Sequence, residues 1–243
     1  MLYRADKKNL VFDQGKFKVI GHQPGFSIPN YSDHGYGPLA LIAESFMAPD
    51  TWIRLHPHHN DEIISLVPEG IMRHNDVTNG PLITDKDHLM IMNAGTEFWH
   101  EERTLVDDPP LRMLQIFVRP HEIDLKPQIQ HGPLAAWVYA QWRKVFGPEN
   151  SGSPFYVRND IEMYDLRVKA GETVAFPVKP GYSLYFMVYT GAIQVNKERF
   201  GLRETGLLLD EQAIQLTALE ESLVVAFAIN PKAKITKSGT VGR

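Results

Sequence analysis

The chain has 243 residues, 43% of them hydrophobic, a formal net charge of −4 and no cysteine. That length suits one large β unit or two small domains with cores of their own. The composition excludes disulfides, thiolate ligands and cysteine nucleophiles, and the lack of a basic run speaks against direct nucleic-acid binding.

In chain order, the opening Met1–Lys8 stretch is polar and does not read as a signal peptide. No apolar run approaches the roughly 20 residues of a membrane span. The expectation is a soluble, cytoplasmic, monomeric protein. Leu10–Asp13 and Phe17–His22 read as short strands around Gln14-Gly15. The turn-rich stretch Gly25–Gly37 holds His34, read as a solvated loop histidine. Leu39–Met47 is a strongly apolar strand. Apolar runs follow at Ile63–Val67 and His88–Met92, with a Pro68-Glu69-Gly70 turn after the first. His74 opens an H-N-D turn and, with His88, is expected to face solvent. Arg112–Arg119 alternates through Met113, Gln115 and Phe117. Pro120–Gly132, polar and proline-containing, reads as a linker. Leu134–Phe146 is expected to form a short helix leading into a strand. Strand signals then recur at Met163–Val168, Ser183–Tyr189, Ala192–Asn196, Leu207–Leu209, Ala213–Thr217 and Leu223–Ile229, and Lys232–Arg243 reads as a loose tail.

The chemistry concentrates between Trp52 and Glu102. W-I-R-L-H-P-H offers His56 and His58; F-W-H-E-E offers His100 and Glu102. A strand puts residues i and i+2 on one face, so each pair points one way, and two pairs on facing strands can converge on one ion. Three imidazoles and a carboxylate suit a first-row metal, and the missing thiolates weaken a structural zinc reading. The alternative is a surface strand end at H-P-H and a hydrogen-bonded structural histidine at position 100. Alternation puts Arg54 on the face of His56 and His58, as a rim ion pair, and turns His59 away. No serine or cysteine triad, G-x-G-x-x-G or P-loop competes for the role.

These motifs resemble the pirin family. The resemblance runs through H-P-H, Glu62 and its hydrophobic run, E-G, His74-Asn75-Asp76, Met92-Asn93-Ala94-Gly95 and His100-x-Glu102. Pirins are bicupins. The resemblance therefore implies an all-β fold of two jelly-roll-like β-barrel domains packed together, with few short helices. The expected boundaries are a metal-binding domain at 1–120, a linker at 121–133 and a second cupin domain at 134–243. It implies His56, His58, His100 and Glu102 as ligands of one divalent metal. Iron is the first choice, with Mn, Ni, Cu, Co or Zn as alternatives. It also implies dioxygenase activity on a flavonol-like, quercetin-type polyphenol, with Glu102 as ligand and proton acceptor. The competing implication is a metal- or redox-dependent protein partner of a transcription factor, without catalysis. By the same resemblance His34 borders the metal pocket, and Glu62 sits near the metal or serves as a structural glutamate. Three segments depart from the family pattern. His59-Asn60-Asp61 stands where Arg-Gly-Phe is usual, Thr84-Asp85-Lys86-Asp87 where Pro-Gly-Asp is usual, and Thr96–Trp99 where small residues are.

The second half echoes the first. Displaced by about 121 residues, P-E-G-I-M-R-H-N (68–75) lies over Y-T-G-A-I-Q-V-N (189–196). All ten histidines lie at or before His131. The second barrel is therefore expected to hold no metal.

Overall fold

The computed structural model describes residues 1–5, 10–210 and 213–243. The end of the polar opening stretch, at 6–8, lies outside the described residues. The described residues hold 22 strands and a single short 3-10 helix, Pro24–Ser27. The fold is an all-β bicupin. Each half has one seven-stranded and one four-stranded sheet.

The two large sheets pack against each other. The central strand of the second, Ser222–Ile229, is buried along its whole length. Its alternation is hidden because both faces are apolar. Leu223, Val225, Phe227 and Ile229 point to the first domain, while Val224 and Ala226 point into their own barrel. Leu111–Val118 does the same in the first domain. Leu114, Ile116 and Val118 meet the partner domain, and Met113 and Phe117 face the interior. The echo between the halves is borne out in geometry: Gly70 and Gly191 both sit at positive φ, 90° and 81°, each between a long strand of a large sheet and a strand of a small one. A Cβ at either would lie within 2.6 Å of backbone or a hydroxyl, so only glycine fits.

Two segments cross the expected boundaries. Leu2–Arg4, at the chain's start, pairs with Thr205–Leu208 of the second large sheet. Gln128–Pro133, inside the expected linker, pairs with His88–Asn93 at the edge of the first. Each sheet thus gains an edge strand from outside its own run of sequence.

Two further expectations are corrected. Leu134–Phe146 forms no helix; only its end joins a strand, Arg143–Pro148. Trp137 is instead held by the guanidiniums of Arg143 and Arg167, 4.0 and 3.8 Å from its ring centroid, a tertiary contact that overrides weak helical propensity. The C-terminal tail is not loose. Asp61, fully buried, accepts the N–H groups of Val241 and Gly242, both at 2.9 Å. Thr240 and His59 exchange two more hydrogen bonds. A Cβ on Gly239 would come within 2.1 Å of Asp61 Oδ1. Arg119, wholly buried, holds the Gly242 carbonyl and the Asp33 carboxylate.

Candidate metal centre

The small sheet of the first domain carries the site. Its order is Thr51–His58, Phe98–Thr104, Met72–Asp76, Gly80–Thr84. In Phe98–Thr104 the alternation is clean: Phe98, His100, Glu102 and Thr104 are buried, while Trp99 and Arg103 are exposed. In Thr51–His58 it is broken. His56 pairs with His100, but Ile53 pairs with Glu102, so this strand has one extra residue at Arg54-Leu55. That bulge lets Ile53 and His56 both face inward. It also corrects the placement of Arg54, which is exposed beside Trp52, 5.6 Å over its ring, and makes no rim ion pair among the described residues.

His56, His58 and His100 converge, their potential ligand atoms all within 4.8 Å of one another. The ring of His56 is 4.4 Å from that of His100 and 5.1 Å from that of His58. Glu102 belongs to a second, overlapping triad with His100 and His74. Its Oε1 lies 3.8 Å from His100 Nδ1 and accepts Gln115 Nε2 at 2.8 Å. The four expected residues therefore occupy one pocket joined through His100, not one equidistant cluster.

His74 is the residue that sequence reasoning missed. It is buried, not solvent-facing, and stacks on His100. The signal was available: Met72, His74 and Asp76 alternate inward by the same i, i+2 rule. The H-N-D stretch ends a strand before it turns. Asp76 Oδ1 accepts the Thr78 and Asn79 N–H groups, and its Oδ2 lies 2.9 Å from His74 Nε2. That contact places the His74 proton on Nε2 and leaves Nδ1 to accept from His100 Nδ1, at 3.3 Å. His100 then presents a bare Nε2, which is buried and has no hydrogen-bond partner among the described residues. His56 Nδ1 likewise donates to Arg54 O at 2.8 Å, freeing its Nε2. This is how proteins fix the tautomer of a ligating histidine.

Burial sets the charges. It lowers His56 and His74 and pushes His100 down to about 2, so the imidazoles are kept in the neutral, ligating form. It raises Glu102 to about 7, only partly countered by the Gln115 hydrogen bond. Orphaned buried nitrogens, neutral imidazoles and a carboxyl that lacks a counter-charge fit a divalent cation.

The remaining candidates lie elsewhere. His59 faces away, with Nδ1 on Thr96 O. Glu62 is structural: it accepts from Asn93 and, across the domain boundary, from Arg158 at 2.6 Å. His34 lies beside Asp33, which pairs with Arg119. Asn60, where the family has glycine, sits at φ 49°. Asparagine tolerates that region best after glycine, so the departure keeps the loop's shape.

Comparison with known proteins agrees. The family model described as Pirin matches residues 26–118, and that described as Quercetinase C-terminal cupin domain matches 145–229. The chain belongs to the pirin family. Among its relatives, it is 27% identical to a pirin-like protein of Caulobacter vibrioides, over 88% of this chain and 92% of that one. It is 25% identical to quercetin 2,3-dioxygenase of Escherichia coli K12, over 85% and 90%. Among solved structures, the bacterial pirin YhhW from Escherichia coli, in complex with nickel(II), superposes with a TM-score of 0.81 at 24% identity, covering 94% of this chain and 99% of that one.

Proposed function

We propose that the protein is a metal-dependent dioxygenase acting on a flavonol-like polyphenol, with one divalent metal, iron first, held by His56, His58, His100 and Glu102. The observation that carries the reading is the inward-facing His56–His58–His100 triad with Glu102 against His100. A divalent metal bound there supplies a Lewis acid for a substrate hydroxyl and a path for electrons to dioxygen. The chain's own residues do the rest. His56, half-buried where the other two imidazoles are buried, marks the open side. Phe98, Phe117, Ile63 and Met92 form an apolar wall that keeps water out. Glu102, on loosening from the metal, takes the hydroxyl proton. Its Oε1 is engaged by Gln115, which leaves Oε2 to receive it.

The test is anaerobic loading with Fe(II), Mn(II) or Ni(II), then oxygen uptake with quercetin and a small polyphenol panel. Glu102→Gln should retain some metal and lose turnover far more than His59→Ala. Fully loaded protein that takes up no oxygen with any of them overturns the reading. A second reading, a metal-dependent protein partner, rests on a different observation: the outward faces of the same two strands expose Trp52 and Trp99, residue types enriched at interfaces. It gains if Trp52→Ala abolishes capture of a partner that binds only the metal-loaded form.

A further inference from the structure

A second cavity, of about 570 Å³, opens at the rim of the interface between the barrels, and no metal-site residue lines it. The volume falls in the range of small-molecule sites. The first domain contributes Lys18, Ile20, Phe46, Glu69 and Arg112 to its wall; the second reaches in with Arg203. Behind the wall, the fully buried Glu44 uses both oxygens, accepting Arg112 Nε and Arg203 Nε at 2.8 Å each. Arg112 is fully engaged, since its other nitrogens donate to Glu69 and to Tyr189 O. Arg203 is not. Only its Nε is bound, and Nη1 and Nη2 have no partner among the described residues. Lys18 Nζ is 3.7 Å from Asp13, too far for a hydrogen bond.

The mouth therefore carries an open guanidinium edge and an ammonium above an apolar floor of Ile20 and Phe46. The Arg203 guanidinium lies 5.2 Å from the Phe46 centroid. Its backbone is in the left-handed region, at φ 65°, which L side chains seldom adopt. The conformation is held by the Arg203 N–H on Val188 O at 2.8 Å. This turn sends the Arg203 side chain across the domain boundary, where its Nε meets Glu44.

We propose that this cleft binds a small anion with a flat apolar body, of the aromatic carboxylate class. The carboxylate would sit on the Arg203 edge and Lys18, and the ring against Ile20 and Phe46. The proposal is independent of the metal-site chemistry.

The test is calorimetric titration of metal-loaded and metal-free protein with 2-naphthoate and with its neutral analogue 2-naphthamide. Naphthoate should bind metal-loaded wild type, metal-free wild type and metal-free His56→Ala equally. It should bind Arg203→Gln at least tenfold more weakly, and Lys18→Gln and Arg203→Lys several-fold more weakly; naphthamide should bind wild type at least tenfold more weakly than naphthoate does. Equal binding of acid and amide, no binding at millimolar naphthoate, or loss in His56→Ala would each overturn the proposal, the last by moving the ligand to the metal centre. If Arg203→Gln fails to fold, the Lys18→Gln and amide comparisons still decide.

Discussion

The two barrels share a frame and differ in what they enclose. Gln115 is the fifth residue of an eight-residue strand, and Ala226 is the fifth of its counterpart. Gln115 reaches Glu102; Ala226 packs into an apolar cluster with Phe176, Phe186 and Phe200. His74 in the first barrel lies, at the 121-residue displacement, where Val195 lies in the second, and both are buried. The second interior is ordinary core, and each side chain in it stabilises the fold. The first buries imidazoles below their usual pKa and a carboxyl above its own. Those groups gain little from folding and wait for a cation to compensate them. One frame thus holds an apolar interior and one lined with imidazoles and a carboxyl.

The comparison breaks most sharply at the ligands. His100→Ala should abolish metal binding, from one metal per chain to none, while leaving a cooperative, β-rich protein. Elemental analysis and circular dichroism check both halves. An unfolded variant would make the first interior as structural as the second. The mirror experiment is Phe186→Ala, a fully buried ring in the second barrel. It should cost ~3–5 kcal/mol by thermal or urea denaturation, from lost burial and the cavity left behind. Metal content should not change.

His74→Ala sharpens the contrast within the first barrel. Without the Asp76–His74 chain, the His100 ring loses its fixed tautomer and orientation. Metal affinity should fall about 10–100-fold, the usual effect of removing such a partner, with stoichiometry still one. Titration with a chromophoric chelator reads it directly. An unchanged affinity would reduce His74 to packing.

Short apolar runs bounded by turn residues, such as Leu39–Met47 and Phe17–His22, were legible in the sequence with their ends in place. So were the inward pairs His56/His58 and His100/Glu102, since alternation needs only local geometry. What was not legible depends on distant partners. The bulge at Arg54-Leu55 exists because Phe98–Thr104 lies alongside. Trp137 abandons a helix for two arginines. The tail is ordered by Asp61, some 180 residues earlier. The edge strands added from the chain's start and from the linker leave no mark in composition. His74 is a different kind of miss: its inward period was there, but the polar H-N-D triplet resembled a turn.

The smallest effect concerns the carboxylate that joins the two triads. Burial raises Glu102 from its ordinary 4.5 to about 7, while it pushes His56, His74 and His100 the other way. Of these groups, only Glu102 is shifted toward neutrality. In the metal-free protein the folded state then keeps, between pH 4.5 and 7, a proton that the unfolded chain has released. The stability of wild type relative to Glu102→Gln should therefore fall as pH rises through that window and level off above 7. A metal ligated by the carboxylate must displace that proton. Binding should release about one proton well below pH 7 and none well above it, and affinity should climb up to about tenfold per pH unit below 7 before flattening. Calorimetry in two buffers of different ionisation enthalpy counts the protons. Glu102→Gln should remove the release and the slope together. If the variant keeps both, the metal rests on the three imidazoles alone, and Glu102 belongs with His74 and Gln115 as a neighbour of the centre, not a ligand in it.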